Sequence, residues 1–190
     1  MRINEEVIRS FVCVCPTREA WDETAVFLND LRRFEGFKWI APEQIHITLR
    51  FLGDAAPSLV TKMDTALSGI GGMRRFRVSL AGAGAFPNLT RPKILWLGID
   101  DGAPHLTRLA SKLEQAARNS GFTADLRKFT PHLTIGRANQ NGALSALSPE
   151  LAGALREAPS PSWECASFVL MRSVLRPGGA IYTPIREYPL

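Results

Sequence analysis

A chain of 190 residues is long enough to build one domain, or two small lobes on a shared core, without disulfides or metals to hold it together. A hydrophobic fraction of 45% with a charged fraction of 22% excludes disorder and fibrous repeats. The net charge of +5, from 23 Lys and Arg against 18 Asp and Glu, suits a polyanionic partner.

Taken in order, strand-like and helix-like segments alternate. Residues 7–14 are rich in β-formers. Residues 18–33 carry Trp21, Ala25, Leu28 and Leu31 near helical spacing, with Thr17 placed as N-cap. Residues 38–40 are short and extended, and 45–52 read as a strand ended by Gly53. A helix over 57–67 is broken by Gly69, Gly71 and Gly72. Residues 76–80 alternate as a half-buried strand does, 81–92 read as a loop or a bent strand, and 94–99 as a buried strand. The clearest helix is 101–121, with Leu106, Leu109, Leu113 and Ala117 on one stripe and Gly121 closing it. Residues 132–135 form a short strand, and 143–157 are partly helical. Strands over 164–175 and 180–188 flank a turn at Arg176-Pro-Gly-Gly179. No linker divides the chain, so residues 1–190 are expected to be one α+β domain.

The longest apolar runs fall far short of the roughly 20 residues of a membrane helix. Glu5 and Glu6 stand where a secretory leader would be basic and then apolar. A cytoplasmic protein without membrane contact is expected. Cys13 and Cys15, two apart on a strand, point to one face and do not pair. Both, and Cys165, are expected as reduced core residues, and there is no Cys-x-x-Cys zinc pattern.

The most informative feature is a repeat. His46-Ile-Thr48-Leu49 and His132-Leu-Thr134-Ile135 share the pattern His-apolar-Thr-apolar, with the histidines 86 residues apart. On a strand, side chains two apart share a face. Each motif therefore offers one imidazole and one hydroxyl to a cleft and two apolar side chains to a core. The third histidine, His105, follows Pro104 at a helix start and reads as a surface or capping position.

Opening a phosphodiester in line needs water activated on one side of phosphorus and a protonated leaving oxygen on the other. Histidine, with an ordinary pKa of about 6.5, serves either role near neutral pH. Two facing histidines supply base and acid together, and Thr48 and Thr134 can donate to the non-bridging oxygens. Neither motif contains a carboxylate, which argues against a hydrolytic metal. No metal or other cofactor is expected.

With these residues the chain resembles the two-histidine (2H) phosphoesterases, and among them the RNA 2′,3′-cyclic phosphodiesterases, also called 2′-5′ RNA ligases. His46-Ile-Thr-Leu-Arg-Phe-Leu-Gly53 and Phe129-Thr-Pro-His-Leu-Thr-Ile-Gly-Arg137 are similar to the family's two signatures. Ala85-Phe-Pro87, Arg91-Pro-Lys93, Leu95-Trp-Leu-Gly98 and Arg176-Pro-Gly-Gly179 extend the likeness over nearly the whole chain; Gly136 stands where Ala is commoner. The resemblance implies two pseudo-symmetric lobes, each an antiparallel sheet flanked by helices, around a central cleft. It implies opening of RNA 2′,3′-cyclic phosphates to 2′-phosphates, with 2′-5′ ligation as the reverse. By position His46 is then the proton donor, His132 the proton acceptor, and Thr48 and Thr134 hold the phosphate.

Arg50 shares parity with His46 and Thr48, which would either aim it at the cleft as a phosphate contact or extend it into solvent. Arg137 reaches phosphate only if its strand bends. Phe11, Trp39 and Phe51 have two available uses, stacking a base or packing the core. The expected partners are RNA ends or small cyclic nucleotides, met by a monomer. Other substrates of the same reaction centre, such as ADP-ribose cyclic phosphate or a 2′-5′ oligonucleotide, and a non-catalytic RNA-end binder are the competing readings.

Overall fold

In the computed structural model, which describes residues 7–70, 72–139, 146–177 and 179–190, the strand-forming segments pair into two antiparallel sheets. Four expectations touch residues outside that set: the acidic start of the chain, Gly71, the beginning of the 143–157 segment and Gly178 in the turn. The first sheet has the order β3-β1-β8-β9. It is built from β1 (Ile8–Val14), β3 (Ile47–Ala55), β8 (Ser167–Arg176) and β9 (Gly179–Pro189). The second sheet has the order β2-β6-β5-β4-β7. Its strands are β2 (Phe37–Trp39), β4 (Phe76–Phe86), β5 (Ile94–Ile99), β6 (His132–Ala138) and β7 (Ser162–Cys165). The helices are α1 (Arg18–Leu31), α2 (Pro57–Ser68), α3 (Ala103–Ser120) and α4 (Pro149–Arg156). The class is α+β with two lobes, as expected, and the chain crosses between them. Strand β2 leaves its neighbours in sequence to pair with β6, and β8 and β9 return to the first sheet.

Helix α3 forms as its stripe predicts. Leu106, Leu109, Leu113 and Ala117 are buried, and Gly121 adopts φ 103° to close the helix through a left-handed residue. Each fully buried leucine contributes about 2 kcal/mol. Thr17 sits at the N-cap of α1, yet its side chain accepts no capping hydrogen bond. Cys13 and Cys165 are buried and form no disulfide, whereas Cys15, one residue past the end of β1, is exposed and not a core residue. Residues 81–86 extend β4, and 164–175 split between β7 and β8, which belong to different sheets. Strand β3 does not stop at Gly53, which takes φ 76° and lets it continue to Ala55. Among the described residues no helix is long and apolar enough to cross a membrane.

Two bulges decide what the cleft contains. In the β1–β3 ladder Cys13 lies opposite Thr48 and Val12 opposite Arg50, leaving Leu49 as an extra residue. In the β5–β6 ladder Trp96 lies opposite Thr134 and Leu95 opposite Gly136, leaving Ile135 as an extra residue. Both bulges fall three residues after a histidine. A bulge inverts side-chain parity beyond it. The residue four past each histidine, Arg50 or Gly136, therefore turns inward and is buried, while the residue five past, Phe51 or Arg137, turns outward and is exposed.

Candidate active site

His46 precedes β3, just after the 3-10 turn Pro42–Gln44, and His132 opens β6. The Nδ1 of His46 lies 2.7 Å from the carbonyl oxygen of Gln44, and the Nδ1 of His132 lies 2.6 Å from that of Thr130. In both cases the acceptor is two residues upstream. A carbonyl only accepts, so each Nδ1 carries the proton and each neutral imidazole keeps its Nε2 lone pair free. The rings are held by aromatics in matching fashion. Phe11 stacks on His46 at 4.7 Å and Tyr182 meets it edge-on at 5.3 Å. Phe86 meets His132 edge-on at 5.0 Å, with Trp96 at 6.3 Å. The Trp96 indole lies over Gly84 of the neighbouring strand, where any Cβ would collide with it.

The two imidazoles and Arg137 share one electrostatic neighbourhood. Burial pushes His46 down to about 4; the Gln44 carbonyl opposes that, and Arg137 and His132 lower it further. Burial also lowers His132, against the pull of the Thr130 carbonyl, and Arg137 adds to the lowering. Both rings are therefore neutral near pH 7 when the cleft is empty, and an anion between them would favour protonation of one.

This sets a pH test with a definite sign. The unfolded chain binds a proton at His46 near pH 6.5 and the folded chain only near 4, so stability falls as pH drops through that window. The loss from this group approaches about 3 kcal/mol. Urea unfolding at pH 7.5 and 4.5 should show His46→Asn losing less stability on acidification than the parent. Equal losses would show that the ring is not held away from water.

A cavity of about 690 Å³ opens beside the first motif and includes His46, Thr48, Phe51, Trp39 and Arg137. His132 and Thr134 are not among its lining residues; both are half-buried on β6. Arg137 reaches the cleft because of the bulge at Ile135, the bend its strand needed. Trp39, half-buried, donates from Nε1 to the Phe34 carbonyl at 2.9 Å and packs against Gly136. A Cβ on residue 136 would lie 3.0 Å from the Trp39 ring, so a side chain there would need the indole to shift by a few tenths of an ångström. Phe51 is 37% exposed, with the Arg9 guanidinium over its ring at 4.6 Å.

One sequence expectation is corrected. Arg50 does not face the cleft: it is 7% exposed, its Nε lies 2.5 Å from a Glu114 carboxylate oxygen, and its Nη2 donates to the Thr123 carbonyl at 2.6 Å. The bulge at Leu49 turned it inward. Of the two uses open to Phe11, packing is the one found: it borders the cavity but is 3% exposed, with its ring against His46 and Tyr182. Gln44, Thr130, Tyr182 and Phe86 were not singled out from the sequence. The equal offset of Gln44 and Thr130 from the two histidines was the available signal for the first pair; Tyr182 arrives from a distant strand and had none.

The sequence profile of the 2′-5′ RNA ligase superfamily matches residues 19–176. The chain belongs to that superfamily. Among curated 2′-5′ RNA ligase superfamily relatives, the Archaeoglobus fulgidus RNA 2′,3′-cyclic phosphodiesterase is 33% identical over 184 residues, covering 95% of this chain and 99% of the relative. The Aquifex aeolicus RNA 2′,3′-cyclic phosphodiesterase is 32% identical over 155 residues, covering 80% and 81%. In fold, Escherichia coli LigT, solved with 3′-AMP, superposes with a TM-score of 0.78 at 24% identity, over 97% of this chain and 99% of LigT.

Proposed function

We propose that this protein is an RNA 2′,3′-cyclic phosphodiesterase working by paired proton transfer. The matched imidazoles carry the reading, each with Nδ1 committed to a carbonyl two residues upstream and Nε2 free. Curated relatives at 33% and 32% identity that bear that name support it. In the proposed step, Nε2 of neutral His132 takes a proton from water as its oxygen attacks phosphorus. The P–O3′ bond breaks, and the departing oxygen receives the proton of His46, leaving a 2′-phosphate and a free 3′-hydroxyl. The bound phosphate itself favours the imidazolium that His46 needs. Thr48 and Thr134 donate to the non-bridging oxygens, and Arg137 offsets their charge. With an RNA 5′-hydroxyl in place of water, the same transfers join two ends through a 2′-5′ bond. The chemistry requires no metal. All of these residues come from one chain, residues 1–190 acting as one two-lobed domain, so a monomer suffices.

An oligoribonucleotide ending in a 2′,3′-cyclic phosphate tests the assignment. The expected product, by chromatography against standards, is the 2′-phosphate, at a rate unchanged by EDTA. A 3′-phosphate product, a rate that EDTA abolishes and metal restores, or tight binding without turnover over hours would each overturn it.

A further inference from the structure

The cavity beside His46 holds more positive charge than one phosphate requires. Lys38 and Arg176 line it together with Arg137, and none of the described residues lining it is acidic. The register of β2 against β6 sets Lys38 directly opposite Arg137, and like charges so placed destabilise a strand pair. The far end of Lys38 lies against Gly179, at the start of β9: a Cβ there would sit 3.7 Å from its Nζ. That brings the ammonium to the β8–β9 hairpin end, where β8 finishes at exposed Arg176. Three strands from both sheets thus deliver cations to one hollow. Arg137 lies close enough to lower the pKa of both histidines, which puts it beside the proposed reacting centre. Lys38 and Arg176 extend the positive surface away from it. By contrast Arg9, also on the rim, is neutralised by Asp54 at 3.4 Å.

We propose that Lys38 and Arg176 form a second anion site that holds a further phosphate of the substrate, beyond the one between the histidines. The proposal rests on the reading given under Proposed function and narrows its substrate class: the preferred ligand carries at least two phosphates. A phosphodiester of an RNA chain and the pyrophosphate of ADP-ribose cyclic phosphate share this chemistry. Trp39, the next residue on β2 after Lys38, also lines the cavity.

Three substrates separate the cases: a nucleoside 2′,3′-cyclic phosphate, a dinucleotide ending in a 2′,3′-cyclic phosphate, and ADP-ribose cyclic phosphate. Lys38→Met and Arg176→Met should each raise KM about tenfold on a two-phosphate substrate, with kcat unchanged. Turnover of the single-phosphate substrate should not change, which also shows that the fold is kept. Loss on the dinucleotide alone assigns the site to an RNA phosphodiester; loss on ADP-ribose cyclic phosphate alone assigns it to a pyrophosphate. Equal KM increases on all three substrates, or none on any, would overturn the second site. If the parent protein turns over none of the three, the catalytic reading fails instead.

Discussion

Replacing His132 by alanine should lower kcat for opening a 2′,3′-cyclic phosphate by about three orders of magnitude, and His46→Ala should do much the same. Each change removes one proton-transfer group and leaves a small polar gap in a half-buried position. The double variant should lose little more than either single one, because the groups act on the same proton balance. Single-turnover assays followed by chromatography give the rates. Retention of more than about a tenth of the parental rate in either variant would remove that histidine from the chemistry.

The same variants decide which imidazole is the acid. An aryl phosphodiester expels a leaving group that departs as a stable anion and needs no proton. On that substrate His46→Ala should recover most of the lost rate, whereas His132→Ala should not, since water must still be deprotonated. The reverse pattern would exchange the roles. Both rings make the same Nδ1 contact at nearly the same distance, so the leaving-group test is what distinguishes them.

The second large effect belongs to Arg50. Its guanidinium holds Glu114 on α3, the Thr123 carbonyl in the connection leading to β6, and the Phe51 carbonyl on its own strand. It therefore ties the strand after the first histidine to the segment that leads into the second. Arg50→Met leaves Glu114 without its partner and the Thr123 carbonyl without its donor. Breaking a buried pair from one side costs about 3 kcal/mol or somewhat more; the Glu114 side chain, 25% exposed, turns partly to water and keeps the loss near the low end. Arg50→Lys should not restore it, as an ammonium cannot serve three diverging acceptors from one plane. Adding Glu114→Gln to Arg50→Met should return part of the stability. Urea unfolding of the four proteins measures this, and a loss below about 1 kcal/mol for Arg50→Met would show the ion pair to be incidental.

The elements were legible where periodicity is strong. The stripe on α3 and the apolar run of β5 were readable to within two residues because burial on one face leaves a regular pattern. The histidine pair was legible because it repeats. What failed was strict alternation after each motif. Ile47, Leu49, Leu52 and Ala55 are all buried, at spacings of two, three and three that no unbroken strand permits. Those spacings were the written sign of bulges, and they explain why Arg50 was expected in the cleft and found in the core. The placement of Lys38 beside Arg137 was not legible, because β2 pairs with a strand about a hundred residues later in the chain.

The matching irregularities in β3 and β6 give the cleft a polarity. Its two histidine motifs are nearly mirror copies, but the side chains that the two kinks turn outward are an aromatic ring, Phe51, on one half and a guanidinium, Arg137, on the other. That contrast lies two residues beyond each extra residue, and the ring on the first half already carries the Arg9 guanidinium over its face.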